Sequence, residues 1–302
     1  MISSVFDTFL PQTPVTALSG SGWQQRVFIK REDLRDLELG GNKWCKLAGH
    51  LVAAREQGFD HVLSVGGAWS NHLHALALAG RRFGVATTGL VRGEPTETPM
   101  LADARSAGMQ IHFVPTPRYR QRNAEGELAR LAAPYPRAWL VPEGGGGAES
   151  MPGLARLAAE IEAQFAGDVL LAVPVGSGTT LAGLVRVLPA RFQVWGFQAF
   201  HDPTLASRLT TILAGCKPAA QWALHSTQGM RSHRRMPASL ARFMARFEME
   251  EQVPLDPVYM VRMMDTLSLL LEQGHIPSNV TLVALHTGGL QGRRGHGLAL
   301  AA

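Results

Sequence analysis

Short apolar runs alternate with amphipathic stretches along nearly the whole chain. Residues 61–65, 85–91, 110–114, 138–141, 169–175, 193–199 and 280–285 are apolar runs of strand length, several of them rich in Val and Leu. Residues 26–30 add one more strand near the start. The stretches between them have the apolar spacing of helices: 43–57, closed by Gly58, then 71–83, 98–107, 124–131, 153–165, 179–188, 204–213, 238–248 and 259–273. Residues 1–25 read as irregular, with Pro11 and Pro14 as breakers. Strands that alternate with helices predict an α/β architecture of parallel sheets covered on both faces. In such sheets ligands lie beyond the carboxyl ends of strands. No fixed-period repeat interrupts the pattern, and the glycine run 144–147 is the best candidate for a domain joint.

Composition narrows the class. At 302 residues the chain has room for two domains, and 46% hydrophobic residues with a mean hydropathy of +0.01 fit a soluble globular protein. No run is long and apolar enough to span a bilayer, so no membrane partner is expected. The N-terminal Met1-Ile2-Ser3-Ser4-Val5 lacks the basic and apolar regions of a signal peptide. The two cysteines, Cys45 and Cys216, do not suggest a disulfide framework, and a cytoplasmic setting is the default. The net charge is +5 and the pI about 9.7, but the basic residues form no tract and no zinc-finger or RNP pattern accompanies them. Nucleic acid is therefore not expected as a partner. An arginine-rich surface or a small anionic ligand accounts for the charge equally well.

Lysine is scarce. Lys30, Lys43, Lys46 and Lys217 are the only four, which leaves 25 arginines among the 29 basic residues. A chain built this way keeps lysine where arginine cannot substitute, as for an amine that must lose its proton and attack a carbonyl. Lys43 follows Gly40-Gly41-Asn42 at a strand-to-helix turn, where glycines let the backbone bend sharply beside a ligand. A lysine that merely follows a loop is the alternative.

Three other stretches lie at strand ends. Gly176-Ser177-Gly178-Thr179-Thr180 opens a helix, so backbone N–H groups and hydroxyls can converge on an anion. No Gly-Lys-Ser/Thr follows and no acidic residue stands about 20 positions on, so a single phosphate suits it better than a nucleotide. It could also be an ordinary tight turn. Gly66-Gly67-Ala68-Trp69-Ser70-Asn71-His72-Leu73-His74 also leads from strand to helix. Ser70 or Asn71 could be a helix cap, and Trp69 a pocket wall or plain core. His72 and His74 are two apart and diverge on a helix, so they are not a metal pair, and no metal is expected. His286-Thr287-Gly288-Gly289 could set the Thr287 hydroxyl against a ring nitrogen or simply connect two elements. Tyr259, one of three tyrosines with Tyr119 and Tyr135, could stack on a ligand, donate a proton or belong to the core.

Together these stretches resemble the fold-type II pyridoxal-phosphate enzymes, in the branch that contains aminocyclopropane-carboxylate deaminase and D-cysteine desulfhydrase. Five blocks stand in the family's order: Lys30-Arg31-Glu32-Asp33-Leu34, Gly40 to Lys43, Gly66-Gly67 with Ser70-Asn71-His72, Gly176 to Thr180, and His286 to Gly289. Pro142-Glu143-Gly144-Gly145 and Asp256-Pro257-Val258-Tyr259 are two weaker ones. The resemblance implies a larger domain of residues 1–49 and 151–302, a smaller inserted domain of 50–150, and a cleft that closes over the substrate. It implies pyridoxal 5'-phosphate as cofactor and Lys43 as the amine that bonds its aldehyde and later moves the substrate's α-proton. Asn71 would meet the phenolic oxygen, Gly176, Ser177, Gly178, Thr179 and Thr180 the phosphate, and Thr287 the pyridine nitrogen. Ser70 and Tyr259 would act on the substrate, with Trp69 and His72 beside it. The implied reaction is elimination or deamination of a small amino acid to a keto acid and ammonia, by a homodimer. Racemisation and non-catalytic binding are the rival outcomes. Four stretches depart from the branch. Met260 stands where the deaminases carry a glutamate, and Val261-Arg262 replaces Gly-Lys. Residues 225–231 contain no tyrosine, and Trp69 takes the place of a common Gln.

Overall fold

A computed structural model describes residues 10–20, 22–23, 27–36, 38–228 and 236–299. Arg26, at the start of the first expected strand, lies outside the described residues, as does 229–231 of the tyrosine-free stretch. In chain order the elements are β1 (Val15–Ala17), β2 (Val27–Arg31), α1 (Gly41–Glu56), β3 (His61–Gly66), α2 (Asn71–Phe83), β4 (Ala86–Arg92), α3 (Pro99–Ser106), β5 (Gln110–Val114), α4 (Thr116–Arg120), α5 (Glu127–Ala132) and β6 (Trp139–Val141). There follow α6 (Met151–Gln164), β7 (Val169–Val175), α7 (Thr179–Val187), β8 (Phe192–Gln198), α8 (Leu205–Leu213), β9 (Gln221–Ser226), α9 (Ala238–Glu251), α10 (Met260–Glu272) and β10 (Thr281–His286).

The chain divides into two compact units. The first comprises Leu10 and residues 36–153, so it holds all of α1 with Lys43. The second comprises residues 11–35 and the described residues from Leu154 onward. The first unit contains a four-stranded parallel sheet in the order β5-β4-β3-β6. Its core joins Leu63, Val65, Leu90 and Val114 of the strands to Tyr119, Leu131 and Ala138. The second contains a six-stranded sheet in the order β1-β2-β10-β7-β8-β9, parallel except for the β1–β2 pair. Every residue of β7 is buried, as expected of a central parallel strand covered on both faces. Helices α9 and α10 cover part of this sheet, with Met260, Val261, Met263, Met264 and Leu267 packed against Val27, Ile29, Leu170 and Ala284. Full burial of such side chains contributes roughly 1.5–3 kcal/mol each.

Two strands depart from the expected pattern. Val15–Ala17 lies in the stretch read as irregular and pairs with β2 in three registers only. Gln221–Ser226 is an edge strand with half-buried residues between exposed ends, so it lacks the apolar run that marks its neighbours. The helix expected over 124–131 is the shorter α5, Glu127–Ala132, and α4 at Thr116–Arg120 is a further turn of helix that was not expected.

In each sheet strand order reverses once. In the first unit β3 is followed by β4 on one side and flanked by β6 on the other. In the second, β7 is followed by β8 on one side and flanked by β10 on the other. Such reversals open a crevice at the carboxyl ends of the two strands, where their outgoing connections part in opposite directions.

Candidate active site

In the first unit the reversal lies between the turns that leave β3 and β6. Gly66 permits the first of these. A Cβ there would stand 2.6 Å from the Ser70 Oγ and 2.8 Å from Leu73 Cγ, so only glycine lets the turn fold back on its strand. Ser70 caps α2, its Oγ accepting from the Leu73 N–H at 3.2 Å. Asn71 and His72 are then the first two helical residues. Trp69, at 46% exposure, is open to solvent and does not belong to the core. Thr98, which the sequence marked only as the start of a helix, braces the turn from α3: its hydroxyl donates to the Ala68 carbonyl at 2.7 Å and accepts from the Leu101 N–H.

His72 points inward. The Ser64 hydroxyl gives its proton to the Val141 carbonyl at 2.7 Å, so at 2.8 Å it can only accept from His72 Nε2–H. The other ring nitrogen, Nδ1, is a buried atom that no hydrogen bond reaches among the described residues. Burial, then the charges of Lys46 and Lys43, hold the His72 pKa well below the usual imidazole value.

Lys43 is the third residue of α1, which starts after Gly40 and Gly41, both with positive φ (66° and 53°). Its Nζ donates to Asn42 Oδ1 at 3.0 Å. One turn further on, Lys46 is buried. Burial first, and then the charge of Lys43, push its amine well below the usual lysine value, with Cys45 opposing. The turn after β6 closes on the same place. A Cβ on Gly145 would lie 3.2 Å from Lys46 Cβ and 3.6 Å from His72 Nδ1. Candidate groups from α1, α2 and the β6 turn thus meet in one unit.

In the second unit the turns leaving β7 and β10 are neighbours. The β7 turn enters α7 through Gly178 (φ 89°), an N-cap residue with no side chain of its own to cap the helix. The Ser177 and Thr179 hydroxyls are 3.2 Å apart, and Thr179 and Thr180 are buried. A helix start with N–H groups uncapped by its own N-cap residue, flanked by hydroxyls, suits a phosphate. Gly176 makes room for Tyr259: a Cβ there would be 3.1 Å from both Cε1 and Oη of the tyrosine. Tyr259 is therefore beside the candidate phosphate turn, with Phe200 edge-on to its ring at 5.3 Å. Asp256 sets its backbone, accepting from the N–H groups of Val258, Tyr259 and Met260 at 3.0, 2.9 and 2.7 Å. Burial raises the Asp256 pKa, and those three donors oppose the rise. Thr287 is buried in the turn after β10. Met260 is fully buried in the core, and Arg262 is enclosed with its guanidinium donating to the Gln228 carbonyl at 2.9 Å.

Comparison with known proteins agrees with this geometry. Residues 7–288 match the family described as pyridoxal-phosphate dependent enzymes, and the chain belongs to that family. It is a pyridoxal-phosphate-dependent enzyme of α/β fold. It is similar to the D-cysteine desulfhydrase of Yersinia pestis (strain Pestoides F), 27% identical over 292 residues, covering 88% of this chain and 87% of the relative. It is also similar to the mitochondrial bifunctional D-cysteine desulfhydrase/1-aminocyclopropane-1-carboxylate deaminase of Arabidopsis thaliana, 26% identical over 296 residues, covering 88% and 73%. A solved ACC deaminase homologue shares the fold, with a TM-score of 0.81, 24% identity and 99% coverage of both chains. The α7 turn offers donors to a phosphate, Thr287 a neutral hydroxyl and Lys43 a primary amine, so the residues present fit pyridoxal phosphate. Among the described residues no helix is long and apolar enough to cross a membrane, and no cluster of three His, Cys, Asp or Glu could hold a metal ion.

Proposed function

We propose that the protein is a lyase or deaminase that removes the α-proton of a small amino acid, expels a β-substituent, and releases a keto acid and ammonia. The observation that carries this reading is the pairing, at the β7/β10 reversal, of a helix start uncapped by its own N-cap residue with a neutral hydroxyl in the turn after the adjacent strand β10. When bound, pyridoxal phosphate supplies the electron sink for the carbanion. Lys43 holds its aldehyde and, once displaced by the substrate amine, takes the α-proton. Gly176, Ser177, Gly178, Thr179 and Thr180 hold the phosphate, and Asn71 the phenolic oxygen. Thr287, being neutral, leaves the ring nitrogen without a carboxylate to protonate it fully. Ser70 accepts from Leu73 N–H, so its own proton remains available to a substrate oxygen or leaving group. Tyr259 serves as a second proton donor, while Trp69 and His72 shape the substrate's surroundings. Residues 1–49 and 151–302 would form the larger domain of this enzyme and 50–150 the smaller.

The names of the relatives put D-cysteine and 1-aminocyclopropane-1-carboxylate first among substrates to try. Met260 favours β-elimination over ring opening. Its apolar side chain is locked in the core where the resembling deaminases carry a glutamate. The purified protein should be yellow, and borohydride should fix the cofactor on Lys43. A panel of D- and L-amino acids read by ammonia and keto-acid release then names the substrate. A colourless protein that gains no absorption band with added pyridoxal phosphate would falsify the proposal. The cytoplasm is the proposed compartment, and light scattering tests the homodimer that the family resemblance implies.

A further inference from the structure

Two turns in the second unit carry candidate groups on separate elements. Residues 286–289, with Thr287, leave β10, and 254–259, with Tyr259, lead into α10. One side chain bonds both. His286 Nε2 is 2.7 Å from the Pro254 carbonyl oxygen, and the Gly288 N–H donates to His286 Nδ1 at 3.2 Å. The partners fix the ring. A carbonyl oxygen carries no proton, so Nε2 must be the N–H nitrogen; a backbone N–H needs a lone pair, so Nδ1 is bare. Rotating the ring by half a turn would set carbons against both partners, and the side chain is fully buried. Asp33 Oδ1 stands 3.5 Å from Nδ1, outside hydrogen-bond reach, and is held instead by the Arg31 guanidinium at 2.9 and 2.6 Å through its two oxygens.

The Tyr259 turn is clamped on its other side too. Glu248 accepts from the Leu255 N–H at 2.7 Å, and Arg293 donates to the Leu255 carbonyl at 2.8 Å. Pro254 has no N–H, so its carbonyl is its one backbone group able to hold the start of this turn. We propose that His286 is a positioning residue that sets the Thr287 and Tyr259 turns in a single register through one neutral imidazole. The inference rests on the reading of Thr287 and Tyr259 as cofactor and substrate groups. The covalent path between them runs through all of α10, so neither turn fixes the other. A rigid ring with a donor and an acceptor on opposite edges does so directly.

The test is amide hydrogen exchange, read by mass spectrometry on the full chain with and without pyridoxal phosphate, in wild type and H286F. Phenylalanine keeps a ring and removes both bonds. Losing one such buried bond is worth roughly ten- to a hundredfold. In H286F the peptides covering 254–260 and 286–290 should therefore both exchange about ten- to a hundredfold faster, with and without cofactor. In the loaded enzyme kcat should fall by a similar factor while KM moves less than about threefold. Acceleration confined to 286–290, or to neither peptide, overturns the proposal. Should H286F fail to fold, H286Q keeps a donor and an acceptor on a side chain of similar reach. It should show a smaller but still paired acceleration, and an unpaired one again overturns the proposal. The two readings fail separately: a wild type that binds no pyridoxal phosphate removes the functional reading and leaves the paired exchange response to be seen.

Discussion

Lys30 and Lys46 are both shut away from water, at 0% and 2% exposure, yet their surroundings are opposite. Lys30, on β2, donates to Glu160 at 3.0 Å and to the Thr13 carbonyl at 2.8 Å. Glu160 also accepts from Arg35 at 3.0 and 2.8 Å, and Arg35 donates to Glu32 at 2.6 and 2.9 Å. Lys30, Arg35, Glu32 and Glu160 thus form a buried ionic network in the second unit, with Arg156 Nε 3.9 Å from Glu160 at its edge. Lys46, on α1 in the first unit, has no carboxylate within ion-pair distance among the described residues. Burial lowers both amines, but Glu160 opposes the effect at Lys30, whereas the charge of Lys43 adds to it at Lys46. The second unit uses its buried lysine to join elements. The first unit keeps one that costs stability, and it stands three residues from Lys43 on the same helical face. Buried groups that oppose stability gather where chemistry is done.

The largest effect should come from breaking the paired lysine. Glu160→Gln takes the one hydrogen-bonded carboxylate from Lys30 and leaves Arg35 with Glu32, and the loss should be about 3–5 kcal/mol in urea unfolding. A loss below about 1 kcal/mol would show that the network is ornamental and dissolve the contrast. The unpaired lysine should respond with the opposite sign. Lys46→Met replaces an amine whose charged form is disfavoured by burial and by Lys43, so it should stabilise the protein at pH 7 by about 1–3 kcal/mol. The gain should shrink toward pH 9. The folded amine lies below its unfolded value, so the unfolded chain binds the extra proton and the wild type itself gains stability as pH rises.

The alternation of strands and helices was legible because buried parallel strands must be apolar throughout, and the strand ends were legible because glycines and hydroxyls cluster there. The edge strands β1 and β9 were not. A short or half-exposed strand has no contrast between faces to display. Lys43, Ser70, Tyr259 and Thr287 could be picked out from local motifs. The burial of Lys46 could not, because α1 is enclosed on nearly all sides over its first ten residues and its sequence carries no clear polar face there. His286 was visible only as a motif letter, since its partner Pro254 is 32 residues away. His72 belonged to the motif that suggested a substrate contact. Its tie to Ser64 and Val141 depends on strand register, which no local pattern reveals.

Acid should separate the two units by the pH at which each weakens. Burial, with Lys46 and Lys43, holds the folded His72 well below its unfolded value of about 6.5. Below that pH the unfolded chain takes up a proton that the folded one refuses. Stability from this group is complete above about pH 6.5 and falls by up to about 1.4 kcal/mol per pH unit beneath it. Burial pushes Glu160 up, but Arg35 and Lys30 outweigh it and hold the carboxyl below its usual value. Its contribution persists until the pH drops below about 4.3. His72→Gln should therefore flatten the slope that begins beneath about pH 6.5 and leave the loss that depends on Glu160 in place. A slope unchanged by this substitution would show that His72 takes up its proton freely when folded.

The smallest expected effect tests whether charge count or enclosure explains the contrast. Arg81 and Glu38 form an ion pair in the first unit, with side chains 48% and 47% exposed. Water already solvates both groups, so pairing gains little and the freed rotamers offset it. Arg82 also reaches Glu38, so the carboxylate keeps a partner when Arg81 is lost. Arg81→Ala should change stability by no more than about 0.5 kcal/mol, and raising salt to 0.5 M should erase even that. A loss comparable with that of Glu160→Gln would mean that ion pairs stabilise this chain wherever they occur. The cost assigned to the partnerless Lys46 would then reflect a missing pair rather than the loss of water around it.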